Sequence, residues 1–102
     1  MTDVFGALAS PVRREILRLL LTGPQPVNAL AERFDMSRPS VSEHLKVLRE
    51  AGLVGESRDG RHRRYELLAE PLSEVRDWLT PYEEFWRRKL RNLHELLDSE
   101  ES

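Results

Sequence analysis

A chain of 102 residues holds one domain, near the lower end of what buries a stable core alone, so association with a second copy is expected. With no cysteine, disulfides, thiol redox switching and thiolate metal sites are excluded, and no apolar run approaches the length of a membrane span. A formal net charge of −2 does not announce a nucleic-acid partner, yet residues 38–64 carry seven Lys/Arg against four Asp/Glu, a local +3.

The first residues, MTDVFGALAS, lack the charged-then-apolar pattern of a signal peptide, and a cytoplasmic protein is expected. Val4, Phe5 and Leu8 mark a short amphipathic helix, broken at Ser10-Pro11, where Ser10 can cap and Pro11 can open the next. Ile16, Leu17, Leu19, Leu20 and Leu21 then predict a core helix with Arg13, Arg14 and Arg18 on its wet side, stopped by Gly23-Pro24. Val27, Leu30, Ala31 and Phe34 follow at helical spacing, and Asp35 to Arg38 reads as a tight turn. The next helix starts at Ser37, a natural N-cap, with Pro39 placed where no intrahelical N–H bond is due. Val41, Leu45 and Leu48 form its buried face and Gly52 ends it in the left-handed conformation. Two short helices across a tight turn make a helix-turn-helix, over about residues 27–51.

Past Gly52 the pattern becomes extended. Two runs flank Asp59-Gly60, a hairpin signal, with Tyr65 and Leu67 on the core-facing side. Arg61 and Arg63 share that parity, so the hairpin, residues 53–68, must outrun the core and project as a wing tipped by Arg58, Arg61, His62, Arg63 and Arg64. Pro71 opens the last element, where Leu72, Val75, Leu79, Tyr82, Trp86, Leu90, Leu93 and Leu97 recur at gaps of three and four, and Trp78, Phe85 and Leu96 widen the stripe. Pro81 either kinks this helix or restarts it behind a Thr80–Glu83 capping box. So long a stripe exceeds what the domain can cover. Val4, Phe5, Leu8, Leu79, Tyr82, Trp86, Leu90, Leu93 and Leu97 are therefore the expected interface of a homodimer. The expected architecture is mainly α with a small β-hairpin: one winged helix-turn-helix domain over 1–98, dimerising through its terminal helices (71–98 at the C-terminus), with 99–102 as a frayed tail.

The stretches DVFGALASPVRREILRLL, SRPSVSEHLKVLREAGLV and DGRHRRYEL resemble the winged-helix repressors of the ArsR type, over residues 3 to about 68. The C-terminal segment with Trp78 and Trp86 resembles one subgroup more weakly. The resemblance implies a homodimeric repressor of an operator near its own promoter, with the recognition helix in the major groove and the wing at the flanking minor groove or backbone. Metal-sensing members carry cysteines where this chain has Pro26, Val27 and Ala29, or imidazole and carboxylate ligands on the last helix, where it has His94 beside Glu95. A set shared across the dimer would have to draw on His94, Glu95 and Asp98. No metal site or cofactor is expected, and the resemblance names no effector.

On the recognition helix, Arg38, Pro39, Ser40 and Glu43 are the expected base readers: Arg38 can present two donors to guanine, while Glu43 accepts from cytosine N4 or orients Arg38 or Lys46. Ser42, His44, Lys46, Arg58, Arg61, His62, Arg63 and Arg64 are the expected phosphate contacts. His44, His62 and His94 fall on separate elements with no nucleophile or phosphate loop nearby, which argues against an enzyme. The competing reading is a winged helix that binds only proteins.

Overall fold

A computed structural model describes residues 3–101. Helix α1 (Val4–Ala7) leads into α2 (Pro11–Leu19), a 3-10 turn (Leu20–Thr22), strand β1 (Gln25–Pro26), α3 (Val27–Glu32), α4 (Arg38–Glu50), the hairpin β2 (Val54–Asp59) and β3 (His62–Leu67), and α5 (Leu72–Glu101). Helices α1, α2 and α4 start where side-chain oxygens take the free N–H groups of a first turn. Asp3 accepts from Gly6 N, Ser10 from Arg13 N and Ser37 from Ser40 N.

One core joins the helices and the hairpin, except the outer half of α5. Ile16, Leu30, Val41, Leu45, Leu48, Leu53 and Val54 are fully buried, and Tyr65 closes the core from the hairpin. Helix α4 ends through Gly52, whose φ of 77° lets Gly52 N–H donate to Arg49 O and Leu53 N–H donate to Leu48 O, both at 3.0 Å. This is the Schellman arrangement, and the buried Leu48 and Leu53 supply its apolar contact.

The sheet has the order β1-β3-β2, all antiparallel. Strand β1 was not expected: Gln25 and Pro26, adjoining the expected third helix, pair with Tyr65 and Arg64. Gln25 Nε2 also donates to Leu19 O at 2.7 Å. Proline is tolerated there because β1 is an edge strand. The hairpin turn lies one residue later than the Asp59-Gly60 signal suggests, since Asp59 pairs with His62 and leaves Gly60-Arg61 as the loop. Gly60 has φ 65° and Arg61 does not share the left-handed region, the pattern of a II′ turn with glycine first. Residues 57–64 are all exposed, so the hairpin outruns the core as its charge pattern requires.

Helix α5 is continuous, with Pro81 inside it. The expected capping box does not form. Within an unbroken helix Thr80 has no run of free N–H groups to cap, and its hydroxyl donates to Arg76 O at 3.0 Å instead. Residues 99–101, expected to fray, continue the helix, and Ser102 lies outside the described residues. Leu72 and Val75 pack on the core, whereas residues 84–99 are exposed throughout. At about 1.5 Å per residue, this half carries the protein to a length of 67 Å against a width of 27 Å. Val4, expected at a dimer interface, is instead 6% exposed in the core of its own protomer, because α1 turns that side chain inward and leaves Phe5 outside.

Leu48 is fully buried and its carbonyl accepts the Leu53 N–H that closes the α4–hairpin joint. Leu48→Ala is expected to lower unfolding free energy by about 2–5 kcal/mol in urea titration. A loss below about 1 kcal/mol would show that the joint is not part of the cooperative core.

Candidate nucleic-acid interface

Three aligned side chains on one flank of α4, Arg38, Ser42 and Arg49, face the hairpin, because residues four and seven apart share a helix face. Between that flank, the start of α3 and the hairpin lies a concavity of about 410 Å³, lined by Arg38, Ser42, Asn28, Arg58, Arg61, His62, Arg63 and Tyr65 among others. A shallower basin of about 220 Å³ continues along α4 between Ser42, Glu43, Lys46, Arg49, Arg63 and Tyr65. The structure therefore brings Arg38, Ser42, Glu43, Lys46, Arg58, Arg61, His62 and Arg63 to one side of the molecule. Arg64, which pairs with Ser57 and Pro26, lines neither hollow.

At the start of α4 the residues are small and exposed. Pro39 occupies the first turn, and Ser40 Oγ lies 3.0 Å from the capping Ser37 Oγ. Glu43 is exposed and, among the described residues, forms no ion pair with Arg38 or Lys46, so the orienting role considered for it is not taken up in the free protein.

His44 sits on the opposite flank, half-buried, and Arg13 Nη1 lies 3.3 Å from its Nδ1. Guanidinium can only donate, so Nδ1 accepts and the ring carries its proton on Nε2. The same Arg13 donates to Ala7 O at 2.7 Å and Gly6 O at 3.1 Å, carbonyls at the end of α1. His44 is thus a packing residue first, and any contact with a phosphate must come from Nε2. Phe5 on α1 meets Trp78 of α5 edge-on at 6.0 Å, so α1 links α5 to α4 through Arg13. The Arg18 guanidinium, hydrogen-bonded to Glu15, holds that carboxyl below its usual range, but the pair lies on α2 outside the concavity.

Two residues were missed. Arg13 looked like one of three solvated arginines on α2, and no local signal separates it from Arg14 and Arg18. Glu56 faces Tyr65 across the hairpin and binds both Arg49 and Arg63; once the hairpin register is known, its parity places it on the α4 side. Among the described residues no three His, Cys, Asp or Glu side chains converge as metal ligands.

The sequence model of the family described as "Bacterial regulatory protein, arsR family" matches residues 10–56. The chain is 43% identical over 94 residues to the HTH-type transcriptional regulator Rv2034 of Mycobacterium tuberculosis, covering 92% of this chain and 85% of that one. It is 37% identical over 79 residues to the transcriptional repressor SdpR of Bacillus subtilis, covering 78% and 88%. This chain belongs to the ArsR family. The solved structure of an ArsR-like transcriptional regulator from Rhodococcus sp. RHA1 superposes with a TM-score of 0.72 at 33% identity, over 94% of this chain and 88% of that one. The fold is therefore the winged helix-turn-helix of ArsR regulators, and the protein is a DNA-binding transcriptional regulator, not an enzyme. A winged helix reserved for protein contacts finds no support among these relatives.

Arg13→Ala removes three hydrogen bonds, two of them to carbonyls at the end of α1, whereas His44→Ala removes one. The arginine change is expected to cost about 1–3 kcal/mol in urea titration, and the histidine change less. Equal costs would place the tether in the imidazole contact alone.

Proposed function

We propose that this ArsR-family regulator acts in the cytoplasm as a homodimeric repressor, each protomer reading one half of a two-fold operator with α4 in the major groove. The observation that carries the reading is the shared basic concavity: the exposed start of α4 and the arginines of the hairpin open on the same side. A duplex lying there meets small side chains at its base edges and cations at its phosphates. Arg38 presents two parallel donors to guanine O6 and N7, Pro39 and Ser40 allow close approach, and Glu43 accepts from a cytosine amino group. Ser42, Lys46, Arg58, Arg61, His62 and Arg63 hold phosphates, with His44 Nε2 and Arg64 as outer contacts. A bound dimer excludes polymerase from an overlapping promoter. That SdpR is named a repressor supports this direction of control.

The second copy is argued from α5. Its exposed half carries Tyr82, Phe85, Trp86, Leu90, Leu93, Leu96 and Leu97, each at least 45% exposed, an apolar area beyond what a monomer normally leaves in water. Helix pairing about a two-fold axis covers it, with Phe5, Leu8 and Leu79 at its edge. The two α4 helices must then stand about 34 Å apart to enter successive major grooves.

Operator fragments selected from genomic DNA with the purified protein give the duplex for the decisive measurement. In anisotropy titrations Arg38→Ala is expected to cost about 1–3 kcal/mol and relax base preference at one position per half-site, while Arg61→Ala weakens all sequences alike and reduces the salt slope by about one. If both variants lose discrimination equally, the division between base and phosphate contacts is wrong. Leu90→Asp is expected to give monomers in sedimentation and to abolish operator binding with them, because a single half-site binds far more weakly than two linked ones. A dimer that survives the change would place the interface elsewhere.

A further inference from the structure

Removing a carboxylate from a DNA-binding face should, on charge alone, strengthen binding to any DNA. Glu56 is an acid at the centre of that face, and its surroundings assign it a task that outweighs its charge. Its side chain is 19% exposed, and its two oxygens serve two different elements. Oε2 accepts from Arg49 Nη1 in the last turn of α4, and Oε1 forms an ion pair with Arg63 Nε of β3 at 3.1 Å. The register explains how one side chain reaches both. On the α4 side of the hairpin the cross-strand pairs run Val54–Leu67, Glu56–Tyr65 and Arg58–Arg63, from the core outward. The last of these sets two guanidinium groups directly opposite each other, which is unfavourable unless an anion lies beside them.

We propose that Glu56 is a specificity-determining positioning residue: its carboxylate braces the wing against the recognition helix and thereby fixes the distance between base readers and phosphate contacts. Only DNA that suits both at that spacing then receives the full set of contacts. Without the brace the hairpin swings about its base. Arg63 and Arg49 gain freedom to neutralise phosphates of any sequence, and discrimination falls while general attraction rises. The inference rests on the DNA-reading role proposed above. It adds that an acid which touches no DNA sets how selectively the arginines act.

Two substitutions separate charge from reach. Glu56→Gln keeps the shape and loses the charge; Glu56→Asp keeps the charge but is one methylene too short to hold both guanidinium groups. Affinity of the full-length protein is measured for the selected operator and for a scrambled duplex of equal length, alongside thermal unfolding. Both variants are expected to lower the operator-to-scrambled ratio by about tenfold, the scale of one hydrogen bond to a charged group. Glu56→Gln is expected to bind the scrambled duplex as well as or better than wild type. In nitrogen-edited NMR of the free protein, the Arg63 Nε–H resonance is expected to move in both variants as the ion pair with Glu56 is lost.

A parallel rise in affinity for both duplexes in Glu56→Gln, or a parallel fall with a lowered unfolding temperature, overturns the proposal. So does an unchanged Arg63 signal. A wild-type protein that does not prefer the operator refutes the DNA-reading role itself. A wild type that prefers it, with the ratio unmoved in both variants, refutes only the role of Glu56.

Discussion

Leu53 N–H reaches back over the left-handed Gly52 to Leu48 O, and the two leucine side chains close the turn from beneath. Everything on the DNA side of the molecule is placed through this joint. It ends α4, sets the direction in which the chain leaves, and makes Val54 the first residue of β2. Leu68 N–H then donates to Leu53 O at 2.8 Å and shuts the base of the hairpin. With a two-residue loop at the far end, the register admits no slip without turning Tyr65 outward. The joint therefore sets which residues of the wing face α4, and the Glu56 ion pairs hold that face against the helix.

Helix α4 is held on three sides by different forces. Val41, Leu45 and Leu48 anchor it in the core, Glu56 draws its last turn toward the hairpin, and Arg13 ties its other flank to α1. Apolar burial supplies most of the stability, while the two polar ties set orientation. A reading helix needs both, since a contact to a base edge fails if the helix rolls on a greasy support. The route from Trp78 through Phe5 and α1 to Arg13 also means that whatever packs on α5 is mechanically linked to the face that reads DNA.

The parts of this fold legible in sequence are those decided by neighbours in the chain. Ser37 and Gly52 bracket α4 by capping chemistry that operates within a few residues. The apolar stripes of α2, α4 and α5 repeat at the helical period, and the charged tip of the hairpin betrays its projection. What escaped depends on partners distant in sequence. Gln25-Pro26 is a strand only because Tyr65 and Arg64 lie beside it. Glu56 has meaning only with Arg49 and Arg63, and Arg13 only with α1 and His44. Val4 and Phe5 are adjacent and both apolar, and which turns inward is settled by the angle of α1 on the core. The Thr80-Pro81 pair offers the same residues to a restart and to a continuous helix, and nothing local to the pair separates the two; α5 runs unbroken through it.

The uneven spread of charge has a kinetic meaning. The segment from α4 through the wing carries +3 in a protein whose total is −2, so its positive charge is concentrated on the part that meets DNA. Near a polyanion such a body feels a torque as well as a pull. Encounters that begin at the wing and α4 are attracted more strongly than those that begin elsewhere, and the fraction of collisions that start correctly oriented rises above the geometric expectation. An acidic isoelectric point, read as evidence against a nucleic-acid partner, here helps the protein arrive the right way round.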